Sequence, residues 1–288
     1  MTAVVGAAGG ALLQAVPDDS TPRRVPVVAP GRIRAFTRLL AAERIKLVST
    51  RSPWWCAAVV VVLLAGLTAL IAAQYVPESG SAWLSFGGIG VVPMAVVAVL
   101  ATLAVTGEYR TGTVRTTFLA APQRERTLLA KTVVVAAAAA VIGLVASFAA
   151  WIMAVFIAPQ ADLALSGAAQ WRAVAGVGAV YAVVAVLSVA IGLLVRHSAG
   201  AITILMLWIL VGESVLASLP RVGTDIAAWL PMRNLARFLV VGIADPDPSR
   251  SFFGERQLFG PWAALGYSAG VAVAVLAVAL VVARRRDA

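Results

Sequence analysis

Six long apolar stretches constrain this chain more than any other feature of its sequence. They lie at roughly 54–73, 88–106, 132–157, 173–195, 199–218 and 262–283. Each is about as long as the roughly 20 residues that an α-helix needs to cross a bilayer. Within a bilayer only helices or closed barrels satisfy the backbone polar groups. Charged residues make up only 12% of the 288 residues, too few to cover the surface of a soluble domain. The sequence therefore predicts an all-α polytopic membrane protein with six transmembrane helices.

The placement of the basic residues predicts the orientation of these helices. If the N-terminus is cytoplasmic, 17 of the 23 lysines and arginines fall in cytoplasmic segments: eight before the first stretch, five in the 107–131 loop, one at Arg196 and three after the last stretch. Basic residues are enriched on the cytoplasmic side of membrane proteins. We therefore expect both termini and the 107–131 loop to be cytoplasmic, and the 219–261 loop to be extracellular. The net charge of +10 then indicates topology and contact with anionic lipids, not nucleic acid.

Two segments precede the first stretch. Residues 1–31 are rich in Pro and Gly and predict a disordered tail, which leaves 32–288 as the transmembrane domain. The following segment, IRAFTRLLAAERIKLVSTRSPWW, has apolar residues at helical spacing and predicts a helix in the membrane interface, with Trp54 and Trp55 at the entry to the first span. Glu43 falls within the apolar stripe. It either pairs with Lys46 at i,i+3 or faces a basic residue of another helix or of a partner.

The loop between the second and third stretches, GEYRTGTVRTTFLAAPQRERTLLAK at 107–131, is the most patterned polar part of the chain. Thr113 is a residue type that caps helices, and it precedes a short predicted helix at 113–121 that must end near Pro122. This helix has a small apolar face with arginines around it, so it could dock into a cleft on a soluble protein. Charge alone does not distinguish such a docking helix from a loop that only fixes topology.

The order of residues in this loop resembles the permease subunits of type-2 ATP-binding-cassette (ABC) transporters. The matching residues are Glu108, Gly112, Thr113 and Arg115, then Pro122 and Arg124, and finally Lys131 at the start of a span. The resemblance implies that the loop carries the coupling helix, which contacts a separate ATPase. It also implies that Glu108 and Arg110 hold this helix to the second span, while Arg115 and Phe118 touch the ATPase.

Two further segments strengthen the resemblance, which covers nearly all of the chain from about residue 32. The segment before the first span is similar to the N-terminal interfacial helix of the family, at Glu43, Lys46, Ser49, Arg51 and Ser52. The segment WLPMRNLARFLVVG at 229–242 resembles the short extracellular helices that family members carry between the fifth and sixth spans. The resemblance therefore implies a six-helix type-2 ABC permease domain over residues 32–288.

The sequence independently supports a division of labour between two chains. It contains no G-x-x-x-x-G-K-[ST] phosphate-binding loop, so we expect ATP and Mg²⁺ to bind a partner ATPase and no cofactor to bind this chain. The resemblance implies two ATPases and a second permease chain, either a copy of this chain or a sister chain. Closure of the ATPases would then push the helix at 113–121 as a rigid lever and tilt the spans.

Few side chains of this sequence are suited to catalysis. One His, one Cys and no cluster of carboxylates leave no recognisable acid–base pair, nucleophile triad or metal site, so we expect no catalytic residue, no metal and no enzymatic activity. Glu213 lies inside the fifth stretch, about one turn from its outer end. It either belongs to a substrate path, snorkels to the interface or pairs with an extracellular arginine.

The leading hypothesis is the permease subunit of an ATP-driven exporter, with a hydrophobic or amphiphilic substrate because the spans carry few internal charges. The alternative is a membrane anchor or scaffold without transport activity, since a basic loop can tether many partners. An ion-coupled carrier would need buried acids near the bilayer midplane and matched broken helices, and the sequence offers only Glu213. Scarce lysine with abundant Ala and Val is typical of a GC-rich bacterial genome, so we expect the bacterial plasma membrane.

Overall fold

The computed structural model describes residues 32–74, 91–111, 124–241 and 258–286, and all regular secondary structure within them is helical. We number the helices in chain order as α1 Arg32–Ser49, α2 Arg51–Ala73, α3 Val91–Thr111, α4 Arg124–Ile157, α5 Ala168–Val195, α6 Ser198–Ala217, α7 Gly223–Ala227, α8 Pro231–Val240 and α9 Pro261–Arg286. The middle of α6, Trp208–Gly212, is π-helical. The predicted tail at 1–31 lies outside the described residues.

Six helices, α2 to α6 and α9, are long and apolar enough to cross a membrane. The prediction of six such helices in an all-α chain is thereby confirmed for the described residues, and it fits a multi-pass membrane protein. However, α4 and α5 begin at Arg124 and Ala168, earlier than the apolar stretches at 132–157 and 173–195. An apolar stretch ends where polar residues begin, whereas a helix can continue beyond the hydrocarbon because its polar side chains reach the interface.

Helix α5 lies at the centre of the bundle. It packs against α3, α4, α8 and α9 and is largely buried, whereas α2, α6 and α9 leave most of their apolar surface exposed. Lipid tails are as apolar as a leucine side chain, so an apolar outer surface of this kind is compatible with a bilayer and not with water.

Helices α4 and α5 approach each other closely at two glycines. A Cβ placed on Gly178 would lie 2.7 Å from Cγ of Leu144 and 2.9 Å from the carbonyl oxygen of Ala140. A Cβ placed on Gly143 would lie 2.9 Å from Cδ2 of Tyr181. Small residues let two helix backbones come together, and in lipid such packing is a main source of helix association. This crossing therefore fixes α4 against the central helix.

The segment between α6 and α9 folds back against the bundle. Helix α8 packs on α5 and α9, and seven of its ten residues are buried. Phe238 lies against Gly176 of α5, where an added Cβ would come within 2.7 Å of the phenyl ring. Pro231 stands at the start of α8, a position where its missing N–H removes no helical hydrogen bond. A short helix is thus present within the 229–242 segment singled out by its sequence.

We predict that Gly178→Ala destabilises the folded chain by about 1–3 kcal/mol, because the added methyl group overlaps Leu144 and Ala140 across the helix crossing. Reversible unfolding of the detergent-solubilised protein measures the change. Gly270→Ala in α9 is the matched control, since its added Cβ would meet no atom within 4 Å. The control should be neutral or slightly stabilising, as alanine favours helix more than glycine does. Equal destabilisation by both substitutions would contradict the assigned crossing.

Candidate functional site

Two glutamates and two lysines form a closed ring of ion pairs at one end of the bundle. Nζ of Lys131 lies 2.5 Å from Oε2 of Glu43 and 2.8 Å from Oε1 of Glu108. Nζ of Lys46 lies 2.8 Å from Oε1 of Glu43 and 3.3 Å from Oε1 of Glu108. Each carboxylate therefore contacts both ammonium groups, and we call these four residues the ionic ring.

The ionic ring joins three helices. Glu43 and Lys46 lie about one turn apart on α1, Glu108 lies near the end of α3, and Lys131 lies in the first part of α4. The i,i+3 pair expected between Glu43 and Lys46 is present, and a basic residue of another helix, Lys131, binds the same carboxylate. Glu43 interrupts the apolar stripe of α1 because that stripe is the side that packs against α4.

Burial differs among the members of the ring. Glu43 and Lys131 are each 5% exposed, whereas the side chain of Lys46 is 46% exposed. Burial opposes the ionisation of Glu43, but attraction and hydrogen bonds from Lys131 and Lys46 outweigh burial and hold the pKa of this carboxyl below its usual range. Burial likewise opposes the charge of Lys46, but hydrogen bonds and attraction from Glu43 and Glu108 outweigh it and raise its pKa.

These shifts determine the pH range in which the ring stabilises the fold. The lowered pKa of Glu43 contributes stability above the unfolded carboxyl pKa of about 4.3, and this contribution is lost as pH falls through the folded pKa. The raised pKa of Lys46 contributes stability below the unfolded lysine pKa of about 10.4, and this contribution is lost as pH rises through the folded pKa. Both contributions are therefore complete at neutral pH.

Other charged side chains lie at the same end of the bundle. The guanidinium of Arg196, at the end of α5, stands 5.3 Å from the ring centroid of Tyr109 on α3. Arg284, near the end of α9, forms an ion pair with Glu125 at the start of α4. The helix before the first apolar stretch, the two sides of the 107–131 loop, the residue after α5 and the last turn of α9 thus place basic residues at one end of the molecule.

The structure describes only part of the predicted coupling site. Glu108 and Lys131 belong to the ionic ring, Arg110 is exposed at the end of α3, and Arg51 is exposed at the start of α2. The remaining predicted coupling residues lie outside the described residues: Gly112, Thr113, Arg115, Phe118 and Pro122. The predicted helix at 113–121 lies outside them as well. Arg124 is the first residue of α4, and only its backbone is described.

A cavity of about 330 Å³ lies beside the ionic ring. It is bounded by the junction of α1 and α2, by the second half of α3 and by α4. All four residues of the ring line it, together with Arg110 and several apolar residues of α3 and α4.

Glu213 makes a different contact, with the backbone at the start of α8. Its Oε1 accepts a hydrogen bond from the backbone N–H of Met232 and its Oε2 accepts one from that of Arg233, each at 2.8 Å. The first N–H groups of a helix have no partner within the helix, and a carboxylate there also interacts favourably with the helix dipole. Glu213 is 4% exposed, so it caps α8 inside the protein. Its proposed place in a substrate path stays a prediction.

The other end of α8 is held by Arg172, a residue that the sequence did not mark. Its Nε donates to the carbonyl oxygen of Phe238 at 2.6 Å, and its Nη2 donates to that of Val241. The last carbonyls of a helix lack partners and carry partial negative charge, which a guanidinium satisfies. Pro231 marks a helix start, and a helix start needs an acceptor such as Glu213 for its free N–H groups. No feature of the sequence pointed to Arg172 as the donor at the other end.

The chain matches no protein-family model, and no curated protein is significantly similar to it.

We predict that the two lysines of the ionic ring differ in their contribution to stability. Lys131→Met should cost about 3–5 kcal/mol, because it removes the buried partner of Glu43 at a place that water hardly reaches. Lys46→Met is the matched control within the same ring and should cost about 1 kcal/mol or less, because its side chain is half exposed. Unfolding in detergent at neutral pH measures both.

Adding Glu43→Gln to the Lys131→Met variant should recover part of the loss, since the unpaired charge is then removed. Equal costs for the two lysine substitutions, or no recovery in the double variant, would contradict the assigned burial of the ring.

We predict that Glu213→Gln weakens α8 locally. Glutamine offers one acceptor oxygen where glutamate offers two, so one of the two capping N–H groups loses its partner, at a cost of about 1–3 kcal/mol. Hydrogen exchange should show faster exchange of the Met232 and Arg233 amides. Glu125→Gln, which removes a partly exposed ion-pair partner, is the control and should leave these amides unchanged. Unchanged exchange in Glu213→Gln would exclude the capping role.

Proposed function

We propose that this chain is the transmembrane permease subunit of an ATP-driven ABC transporter that exports a hydrophobic or amphiphilic substrate. The proposal rests on the resemblance of two separate segments to type-2 ABC permeases. The observation that carries it is that Glu43 and Lys46, from the first segment, contact Glu108 and Lys131, from the second. Residues that the resemblance selected independently thus form a single structure.

This contact supports a route by which force could enter the bundle. Residues 112–123 connect the end of α3 to the start of α4, so a push on this loop acts directly on both helices. The ionic ring joins α1 to the same two helices, and separating them would break contacts of two buried charges at a cost of several kcal/mol. In the proposed mechanism α1, α3 and α4 therefore move together as the partner ATPase closes.

The proposal includes the orientation and the partners. Both termini and the 107–131 loop are cytoplasmic, and α1 lies in the membrane interface with its arginines at the headgroups. ATP and Mg²⁺ bind a separate ATPase, and the permease pairs with a copy of itself or with a sister chain. The complex resides in the bacterial plasma membrane and contacts its lipids.

We predict that the tagged chain, extracted from its native membrane in mild detergent, recovers an ABC ATPase in near-equal amount by mass spectrometry. The variant Arg115→Glu with Phe118→Ala should lower this recovery at least tenfold, because it reverses a charge and removes the apolar anchor of the proposed docking helix. Arg285→Glu at the end of α9 changes a charge on the same face outside the loop and should leave the recovery unchanged.

Two results would contradict the proposal. Absence of any ATPase, under conditions that preserve other membrane complexes, would favour an anchor or scaffold with a loop that only fixes topology. Equal recovery by the double variant and the wild type would refute the assigned docking residues.

A further inference from the structure

The cavity beside the ionic ring has one apolar wall. Leu100, Leu103 and Ala104 of α3 and Val134 and Val135 of α4 form this wall. Leu103 is 37% exposed, so the wall continues onto the outer surface of the bundle. The cavity is therefore a groove that opens at the side of the bundle, and we call it the groove. An apolar chain can enter it from that side.

The rest of the lining, which we call the polar wall, carries a net positive charge. The two glutamates and two lysines of the ionic ring cancel, which leaves the charge of Arg110. Arg110 is exposed, and within the described part of the chain its side chain forms no ion pair and no hydrogen bond. An ammonium group has three N–H donors, and Lys46 directs two of them at Glu43 and Glu108. The half-exposed Lys46 therefore keeps one donor for a further acceptor.

The position of the groove along the helices matches the boundary of a bilayer. Its lining includes Ser52 and Pro53 at the start of α2, directly before Trp54 and Trp55, whose side chains are exposed. Exposed tryptophans at the end of a spanning helix lie at the level of the lipid headgroups. The apolar wall extends from there toward the middle of α3, where acyl chains would lie.

We propose that this groove binds one anionic phospholipid, with its phosphate at Arg110 and Lys46 and one acyl chain along Leu100, Leu103 and Val134. A volume of about 330 Å³ is at the lower end of the range of ligand pockets, which suits part of one acyl chain and part of a headgroup, with the rest of the lipid on the outer surface of the bundle. The bound lipid connects the junction of α1 and α2 to α3. This inference holds whichever partner the 107–131 loop has.

The groove selects an anionic headgroup over a zwitterionic one. A zwitterionic lipid such as phosphatidylcholine adds a cationic group, which Arg110 repels, and both carboxylates that could balance this charge are already bound by lysines. Positive charge near the membrane surface attracts anionic lipid, and Arg110 supplies it in addition to the donor of Lys46. Arg110 and Lys46 can therefore bind the phosphate, whereas the polar wall has no free negative charge for a choline.

The test is native mass spectrometry of the delipidated full chain, titrated with phosphatidylglycerol or with phosphatidylcholine of the same acyl chains. We expect one phosphatidylglycerol to bind at least about tenfold more tightly than phosphatidylcholine. Arg110→Glu should weaken phosphatidylglycerol binding about tenfold or more, and Leu103→Trp should do the same by filling the apolar part of the groove.

Each variant has a matched control outside the groove. Arg38→Glu reverses an exposed charge on α1, and Val133→Trp adds the same bulk to an exposed position of α4. Both should change the affinity by less than about twofold. Equal affinity for the two lipids would overturn the proposal, and so would equal effects of Arg110→Glu and Arg38→Glu, since binding would then reflect diffuse surface charge. Because the titration uses the permease chain alone, its outcome is independent of whether an ATPase is recovered.

Discussion

The contact between Glu43 and Lys131 is the interaction on which the position of α1 depends. This helix is mostly exposed and touches the bundle mainly through α4. A carboxylate in such buried surroundings would be costly alone, and it is retained in its charged form because ammonium groups bind both of its oxygens. Turning α1 about its axis would separate Glu43 from Lys131 and leave the buried Lys131 with Glu108 as its remaining partner in the ring. The ion pair therefore specifies which face of α1 meets the bundle.

At the opposite end of the molecule, buried charges are likewise paired, here with the polar groups at the two ends of α8. The free N–H groups and carbonyls of α8 would be costly where the helix is buried, and Glu213 and Arg172 satisfy them with charges of the appropriate sign. The π-helical segment Trp208–Gly212 lies directly before Glu213. A π-helical turn inserts an extra residue into an α-helix, so it changes the face on which every later residue lies. The direction of the Glu213 side chain thus depends on an irregularity of the backbone.

The sequence predicted those features that depend on composition and short-range spacing. Six helices long and apolar enough to cross a membrane followed from apolar length, and the pair of Glu43 with Lys46 was one of the two alternatives that the place of Glu43 in the stripe of α1 left open. The specific partner Lys131 did not follow, because 88 residues separate the two and only packing brings them together. The close crossing at Gly143 and Gly178 was also unpredictable. Small residues abound in this chain, and only the three-dimensional packing shows which of them face another helix. The cap on α8 was hidden for the same reason.

The two polar clusters divide the helices into two groups. The ionic ring holds α1, α3 and α4 together, whereas Glu213 and Arg172 hold α6, α5 and α8. Contact between the groups consists mainly of apolar packing of α3 and α4 against α5. The ion pair of Glu125 with Arg284 also reaches across the bundle from α4, but both side chains are partly exposed, and such pairs contribute little. Apolar surfaces can slide without leaving a charge unpaired, whereas opening either cluster strands a buried charge. A conformational change in this protein should therefore move the two groups as units about the close crossing of α4 and α5 at Gly143 and Gly178, and leave each group intact.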